Sequence, residues 1–172
     1  VPWPHNDPPG ATLYYDLTGD SKVIVDWLNG KARIMQTAYS GILCQLSGLL
    51  ATLWGKDIAA PREGWNDWAR HVLREDNKGA DQLVNRAMDH EITEIPPIPP
   101  VVPATWIRGS FDGGVRKNGK GGAGWWTEVG FRTATGEEYW HDRIEGCLYM
   151  PTGWTVTQAE LTACTKVMLL MA

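Results

Sequence analysis

The sequence predicts an α/β domain in which three successive antiparallel strands and two further strands are flanked by helices. Three observations lead there. Apolar residues at Met35, Ala38, Ile42, Leu46, Leu49 and Leu53 step by three and four, the spacing of an amphipathic helix. β-prone runs of strand length, bounded by glycine and proline, recur on both sides of the chain's middle. Between them, 95–103 carries five prolines in nine residues, which excludes helix and inner strand. At 172 residues and 43% hydrophobic content, the chain supports one sizeable core and not two, so a single domain is expected.

Residues 1–10 hold four prolines and a glycine and read as an extended lead-in. A strand is expected from Ala11 to the Thr18-Gly19 region. A short helix follows over 22–29, with Asp20 or Ser21 at its N-cap and Gly30 at its stop. The amphipathic stretch 33–54 is core material without chemistry, and 55–64 reads as loop. A strand around 69–73 leads into the polar connection 74–79, then a helix over 80–88 with Leu83, Val84 and Ala87 on one face. Asp81 lies in its first turn, where the helix dipole favours an anion.

The proline-rich stretch predicts a polyproline II spacer, which at ~3.1 Å per residue spans roughly 25 to 30 Å. After it, the run 105–112 predicts a strand carrying Asp112 into a glycine-rich turn over 115–124, and a second strand starts at Trp125. A further strand, turn and strand are expected over 130–148. Pro151 to Trp154 breaks the chain before a helix that runs to Ala172, with Leu161, Cys164, Met168 and Met171 on its apolar side and Glu160 in its first turn.

Composition narrows the functions. No run approaches the length of a membrane span, and Val1-Pro2-Trp3-Pro4 has neither the basic start nor the apolar core of a secretory signal, so a soluble intracellular protein with no membrane partner is expected. Three cysteines, Cys44, Cys147 and Cys164, lack metal-ligand spacing and read as buried free thiols. Net charge is −4 and the pI is about 5.5. Any hold on nucleic acid must therefore come from a local basic patch or from metal ions. The ten tryptophans read as core and rim residues.

Four acids stand out by context: Asp20 at a strand-to-helix junction, Asp81 opening a helix, Asp112 within a strand, and Glu160 at a helix start. With their neighbours, Phe-Asp-Gly-Gly at 111–114, Gln-Ala-Glu-Leu at 158–161, Gly-Asp-Ser at 19–21 and Asn-Lys-Gly-Ala-Asp-Gln-Leu at 77–83, this set resembles the ribonuclease H family. The run His71-Val72-Leu73-Arg74-Glu75 ahead of the last motif is similar to the plant and retroelement branches. In the family, however, the acid of the first strand comes first and that of the last helix comes last. Here the order is Asp20, Asp81, linker, Asp112, Glu160.

Circular permutation accounts for that order. Residues 1–94 would correspond to the family's C-terminal half, 95–104 to a new linker, and 105–172 to its N-terminal half. A fragment spanning two tandem domains, or a swapped dimer hinged at the linker, gives the same string; a monomer is preferred because all four acids then meet in one molecule. The resemblance implies a mixed five-stranded sheet flanked by helices. It also implies hydrolysis of the RNA strand of an RNA/DNA hybrid by two Mg²⁺ or Mn²⁺ ions, Asp112 bridging both, Glu160 and Asp20 holding one and Asp81 the other. Gly113, Gly114, Thr157, Gln158 and Asn77 would contact substrate, with Arg116, Lys117 and Lys120 near phosphate. Two features depart from the family. The loop that often carries a histidine is reduced to 74–77, with His71 inside the preceding strand, and Val156-Thr157 replaces a common Asn pair. They leave a second expectation beside the nuclease, a weak or inactive module of a larger ribonucleoprotein or polyprotein.

Overall fold

The computed structural model describes residues 13–31, 39–54, 58–59, 69–97, 106–133, 135–141 and 143–171. Within them the fold is α/β, a mixed open sheet flanked by four helices. Seven strands fall into five positions. At the centre, β1 (Leu13–Gly19) runs parallel to β4 (Trp106–Val115), with Gly19 opposite Phe111. Two short strands, β2 (Ile58–Ala59) and β3 (Ala69–His71), share the outer edge of β1, both parallel to it. On the other side β5 (Gly121–Arg132) pairs antiparallel with β4, and its far edge carries β6 (Glu138–Trp140) and β7 (Ile144–Met150). The expected three antiparallel strands are thus β4, β5 and the β6/β7 position.

Alternation divides the sheet into two faces. Tyr15, Leu17, Ile107, Phe111, Ala123 and Trp125 bury on one, beneath α1 (Lys22–Leu28), α2 (Ser40–Trp54) and α4 (Val156–Met171). Ile24, Val25 and Leu28 of α1, Leu46 and Leu50 of α2, and Leu161, Cys164, Val167 and Met168 of α4 complete this core. The opposite face is covered by α3 (Lys78–His90), whose Leu83 and Ala87 pack with Cys147 of β7. Beyond α3 the chain hooks onto the sheet edge: Glu94 and Cys147 exchange two backbone hydrogen bonds of 2.9 Å, and Thr93 Oγ1 accepts from the Tyr149 amide. Of the expected proline spacer, 98–104 lies outside the described residues, as do the lead-in 1–10 and residues 33–38 of the expected long helix.

Several expectations are corrected. The strand through Asp112 does not end in a broad turn at 115–124; β4 continues to Val115, β5 begins at Gly121, and only 116–120 turns. These glycines serve helix packing. A Cβ on Gly124 would sit 2.6 Å from the Ala80 carbonyl of α3, one on Gly122 2.9 Å from that of Val84, and one on Gly113 would overlap the backbone of Ala159 and Glu160. Bare backbone lets α3 and α4 lie directly on β4 and β5. The loop expected at 55–64 contains β2, and Cys44 is exposed on α2, whereas Cys147 and Cys164 are buried.

Candidate metal centre

The site lies at the carboxyl ends of the parallel pair β1 and β4, where open α/β sheets place their ligands. Gly19, the last residue of β1, pairs with Phe111, and the residue that follows each of them is an acid, Asp20 and Asp112. Glu160 arrives from the other direction, on the second turn of α4 rather than the expected first, because the helix already begins at Val156; the missing Cβ of Gly113 allows α4 to settle on β4. One carboxylate oxygen from each of Asp20, Asp112 and Glu160 lies within 4.8 Å of the others. Asp112 and Glu160 are buried, Asp20 partly so, and this cluster can hold a metal ion.

The electrostatics show what the cluster lacks. Burial, then the neighbouring charges of Asp20 and Glu160, push the Asp112 carboxyl up to about 8; the Gly113 amide, donating to its Oδ1 at 2.9 Å, pulls the other way, and Asp81 adds to the rise. Glu160 is pushed up to about 7, mainly by burial, against a lowering hydrogen bond from the Ser21 side chain, while Asp20 raises it by charge and by a shared hydrogen bond. Two buried carboxyls cannot both ionise beside a third without a cation. Compact all-oxygen donors suit a hard divalent ion.

Asp81 stands outside the three-acid group but lines the same cavity of about 490 Å³. It is set there by α3, whose Ala80 carbonyl covers Gly124, and its carboxylate accepts from Asn85 at 3.4 Å. Asn77 anchors the start of that helix to β4: its Nδ2 donates to the Phe111 carbonyl at 3.0 Å and its Oδ1 accepts from the Ser110 hydroxyl. At 3% exposure, with both ends of its amide engaged, Asn77 positions the site from beneath.

The remaining expected contact residues divide. Gly113 and Gly114 line the cavity; the close backbone approach of Gly113 is to α4, while Gly114 has ordinary room beside the Val84 side chain. Gln158 closes a reciprocal cap on α4: its Oε1 accepts from the Thr155 amide at 2.9 Å and its own amide donates to Thr155 Oγ1 at 3.1 Å. Thr157 is half-buried beside it. The Thr-x-x-Gln spacing at 155–158 was a readable capping signal that the sequence reading passed over. Arg116 reaches the cavity held by Asp89 at 2.5 Å, Lys120 is paired with Glu91, and Lys117 is exposed.

Three site residues were missed. Ser21 occupies the N-cap position of α1 without a capping hydrogen bond of its side chain, which serves Glu160 instead. His71, expected inside a strand over 69–73, is the last residue of β3, and its Nε2 donates to the Asp20 carbonyl at 3.1 Å. Arg74, in the 3-10 turn Arg74–Asp76, lines the cavity from above α3. The signal for the last two was present in the run 71–75, whose contact with Asp20 only the parallel pairing of β1 and β3 brings about. No family model matches the chain, and no curated protein sequence matches it.

Proposed function

We propose that this chain is a circularly permuted ribonuclease H-like domain that hydrolyses the RNA strand of RNA/DNA hybrids with two divalent ions, Mg²⁺ or Mn²⁺. The observation that carries the reading is the meeting of Asp20, Asp112 and Glu160 within 4.8 Å, from the end of one strand, the interior of its parallel neighbour and the second turn of a helix that lie far apart in sequence. Asp81, on the wall of the same cavity, supplies the fourth acid. The permuted reading draws support from the parallel pairing of β1 with β4: strands on opposite sides of the proline-rich stretch assemble one site within one chain, as a monomer requires.

Asp20, Asp112 and Glu160 would hold one ion, and Asp112 with Asp81 the other. Bound there, the ions supply a Lewis acid that makes a water nucleophilic near neutral pH and offsets charge on the departing oxygen. The protein's own groups prepare for this. Asp112 and Glu160, protonated near neutrality by burial and mutual repulsion, release their protons as cation charge enters. Gly113 N–H holds the Asp112 carboxylate in one orientation and the Ser21 side chain does the same for Glu160. His71 fixes the backbone of Asp20.

The test is cleavage of an end-labelled RNA/DNA hybrid in Mg²⁺ and in Mn²⁺, beside RNA duplex, DNA duplex and the Asp112→Asn variant. Metal-dependent cutting of the hybrid's RNA strand, lost in the variant, is the expected result. No cutting by the parent protein in either metal would sink the proposal.

A further inference from the structure

Cations are sparse at a cavity that must receive a polyanion. Among the described residues only two line it, Arg74 and Arg116. Arg116 is committed: Asp89 takes its Nη1 at 2.5 Å, and its other terminal nitrogen donates to Asn85 at 3.4 Å. Arg74 forms no ion pair among the described residues, although four carboxylates share the cavity wall with it. An arginine beside so many acids ordinarily neutralises one of them. What is fixed in this one is its backbone.

That backbone is pinned on both sides. Val72 N–H donates to the Gly19 carbonyl at 3.0 Å and the His71 ring to Asp20, so the chain entering the turn is fixed to the end of β1. On the far side Asn77 is tied to Phe111 and Ser110 of β4. Between these anchors Asp76 N–H donates to the Leu73 carbonyl at 2.9 Å and Asn77 N–H to that of Arg74 at 3.1 Å, closing a tight turn that presents Arg74 at the mouth. Its guanidinium is an exposed planar donor fork that lines the same cavity as the four carboxylates and is bonded to none of them.

We propose that Arg74 is a substrate-binding residue that grips a backbone phosphate of the nucleic-acid strand next to the metal centre. The inference rests on the hybrid nuclease reading and adds to it the contact that gives an acidic protein a fixed positive point at the site. A phosphate accepts both arms of the fork, whereas the cavity's carboxylates remain available to the ions.

The experiment measures binding of a fluorescent RNA/DNA hybrid by anisotropy in Ca²⁺, across a series of KCl concentrations, for the parent, R74A, R74K and R86A. Arg86 pairs with Glu94 on the outer side of α3, so R86A makes the same change in net charge away from the cavity. Loss of one phosphate contact reduces the slope of log K against log salt by about 0.7 to 0.9 and weakens binding roughly 5- to 10-fold at moderate salt. R74A is expected to show both changes, R74K to recover the slope, and R86A to match the parent. R74A binding with parental affinity and slope overturns the role of Arg74 and leaves the nuclease reading standing. A parent protein that binds no hybrid at any salt overturns both.

Discussion

The raised carboxyls of Asp112 and Glu160 make the stability of the metal-free protein depend on pH in an unusual direction. A carboxyl whose pKa is higher in the folded than in the unfolded state stabilises the fold while it is protonated. That contribution is complete below the unfolded pKa and is lost as pH rises through the folded one. For Asp112 the window runs from 3.8 to about 8, and for Glu160 from 4.5 to about 7. Between pH 6 and pH 8 the unfolded chain holds neither proton, while folded Asp112 goes from protonated to half-ionised and folded Glu160 from mostly protonated to mostly ionised. Proton linkage then removes about 2 kcal/mol through Asp112 and about 1 kcal/mol through Glu160. For a domain of this length the loss lowers the melting temperature by about 6 to 12 °C.

The assay is thermal unfolding followed by tryptophan fluorescence at pH 6, 7 and 8, in chelator and in saturating Mg²⁺. In chelator the melting temperature should fall with pH. With Mg²⁺ the curve should flatten, because the cation replaces the protons, and binding at a hundred times the dissociation constant adds about 2.7 kcal/mol. Asp112→Asn should melt higher than the parent at pH 8 in chelator and lose most of the pH slope. A parental melting temperature that is flat or rises from pH 6 to 8 in chelator would refute the reasoning, as would an unchanged slope in Asp112→Asn.

Gly113→Ala forces a Cβ into the backbone of α4 and should cost about 2 to 3 kcal/mol in urea unfolding, while also abolishing stabilisation by Mg²⁺. Gln158→Ala removes one half of the α4 cap; a loss of about 1 kcal/mol with the Mg²⁺ response retained is expected, read from the same melts. Asp16→Asn breaks the two-pronged ion pair with Arg70, whose contacts are 2.6 and 2.7 Å with both side chains largely buried, and should cost about 3 kcal/mol in the urea midpoint analysis. A neutral result there would mean that water reaches the pair freely.

The sequence was most informative where periodicity and capping agreed. Leu83, Val84 and Ala87 located α3, Gly30, with φ of 75°, marked the stop after α1, and Leu161, Cys164 and Met168 gave the buried side of α4. It misled where one residue type answers two needs. Glycine marks a turn when φ is positive and a close approach when another backbone presses on it, and nothing local distinguishes the two; the run 121–124 was read as turn and is strand under a helix. β2 is two residues long and carries no alternation to detect. Gln158, which the resemblance implies as a substrate contact, carries a second role that its type alone does not show, accepting through Oε1 from the Thr155 amide three residues earlier.

The same ambiguity explains why the acids were legible as a set before their geometry was. Each has a local excuse: Asp20 a possible cap, Asp81 and Glu160 dipole partners, Asp112 a turn residue. The structure leaves only the excuse of Asp81, which does lie in the first turn of α3: Ser21 takes the cap position of α1, Asp112 sits within β4, and the first turn of α4 holds no acid. What converts isolated acids into a site is the packing between them. Register places Asp20 beside Asp112, the gap over Gly113 brings in Glu160, and the gap over Gly124 with the Asn77 anchor brings in Asp81. A side chain added at either glycine therefore acts on metal binding from outside the acid set. Gly113→Ala and Gly124→Ala should separate the two contributions, the first moving Glu160 from Asp112 and the second moving Asp81. Isothermal titration with Mn²⁺ measures the result: loss of all binding is expected for Gly113→Ala, and loss of one of two binding events for Gly124→Ala. If both variants keep the parental isotherm while folding normally, the glycines do not set the site.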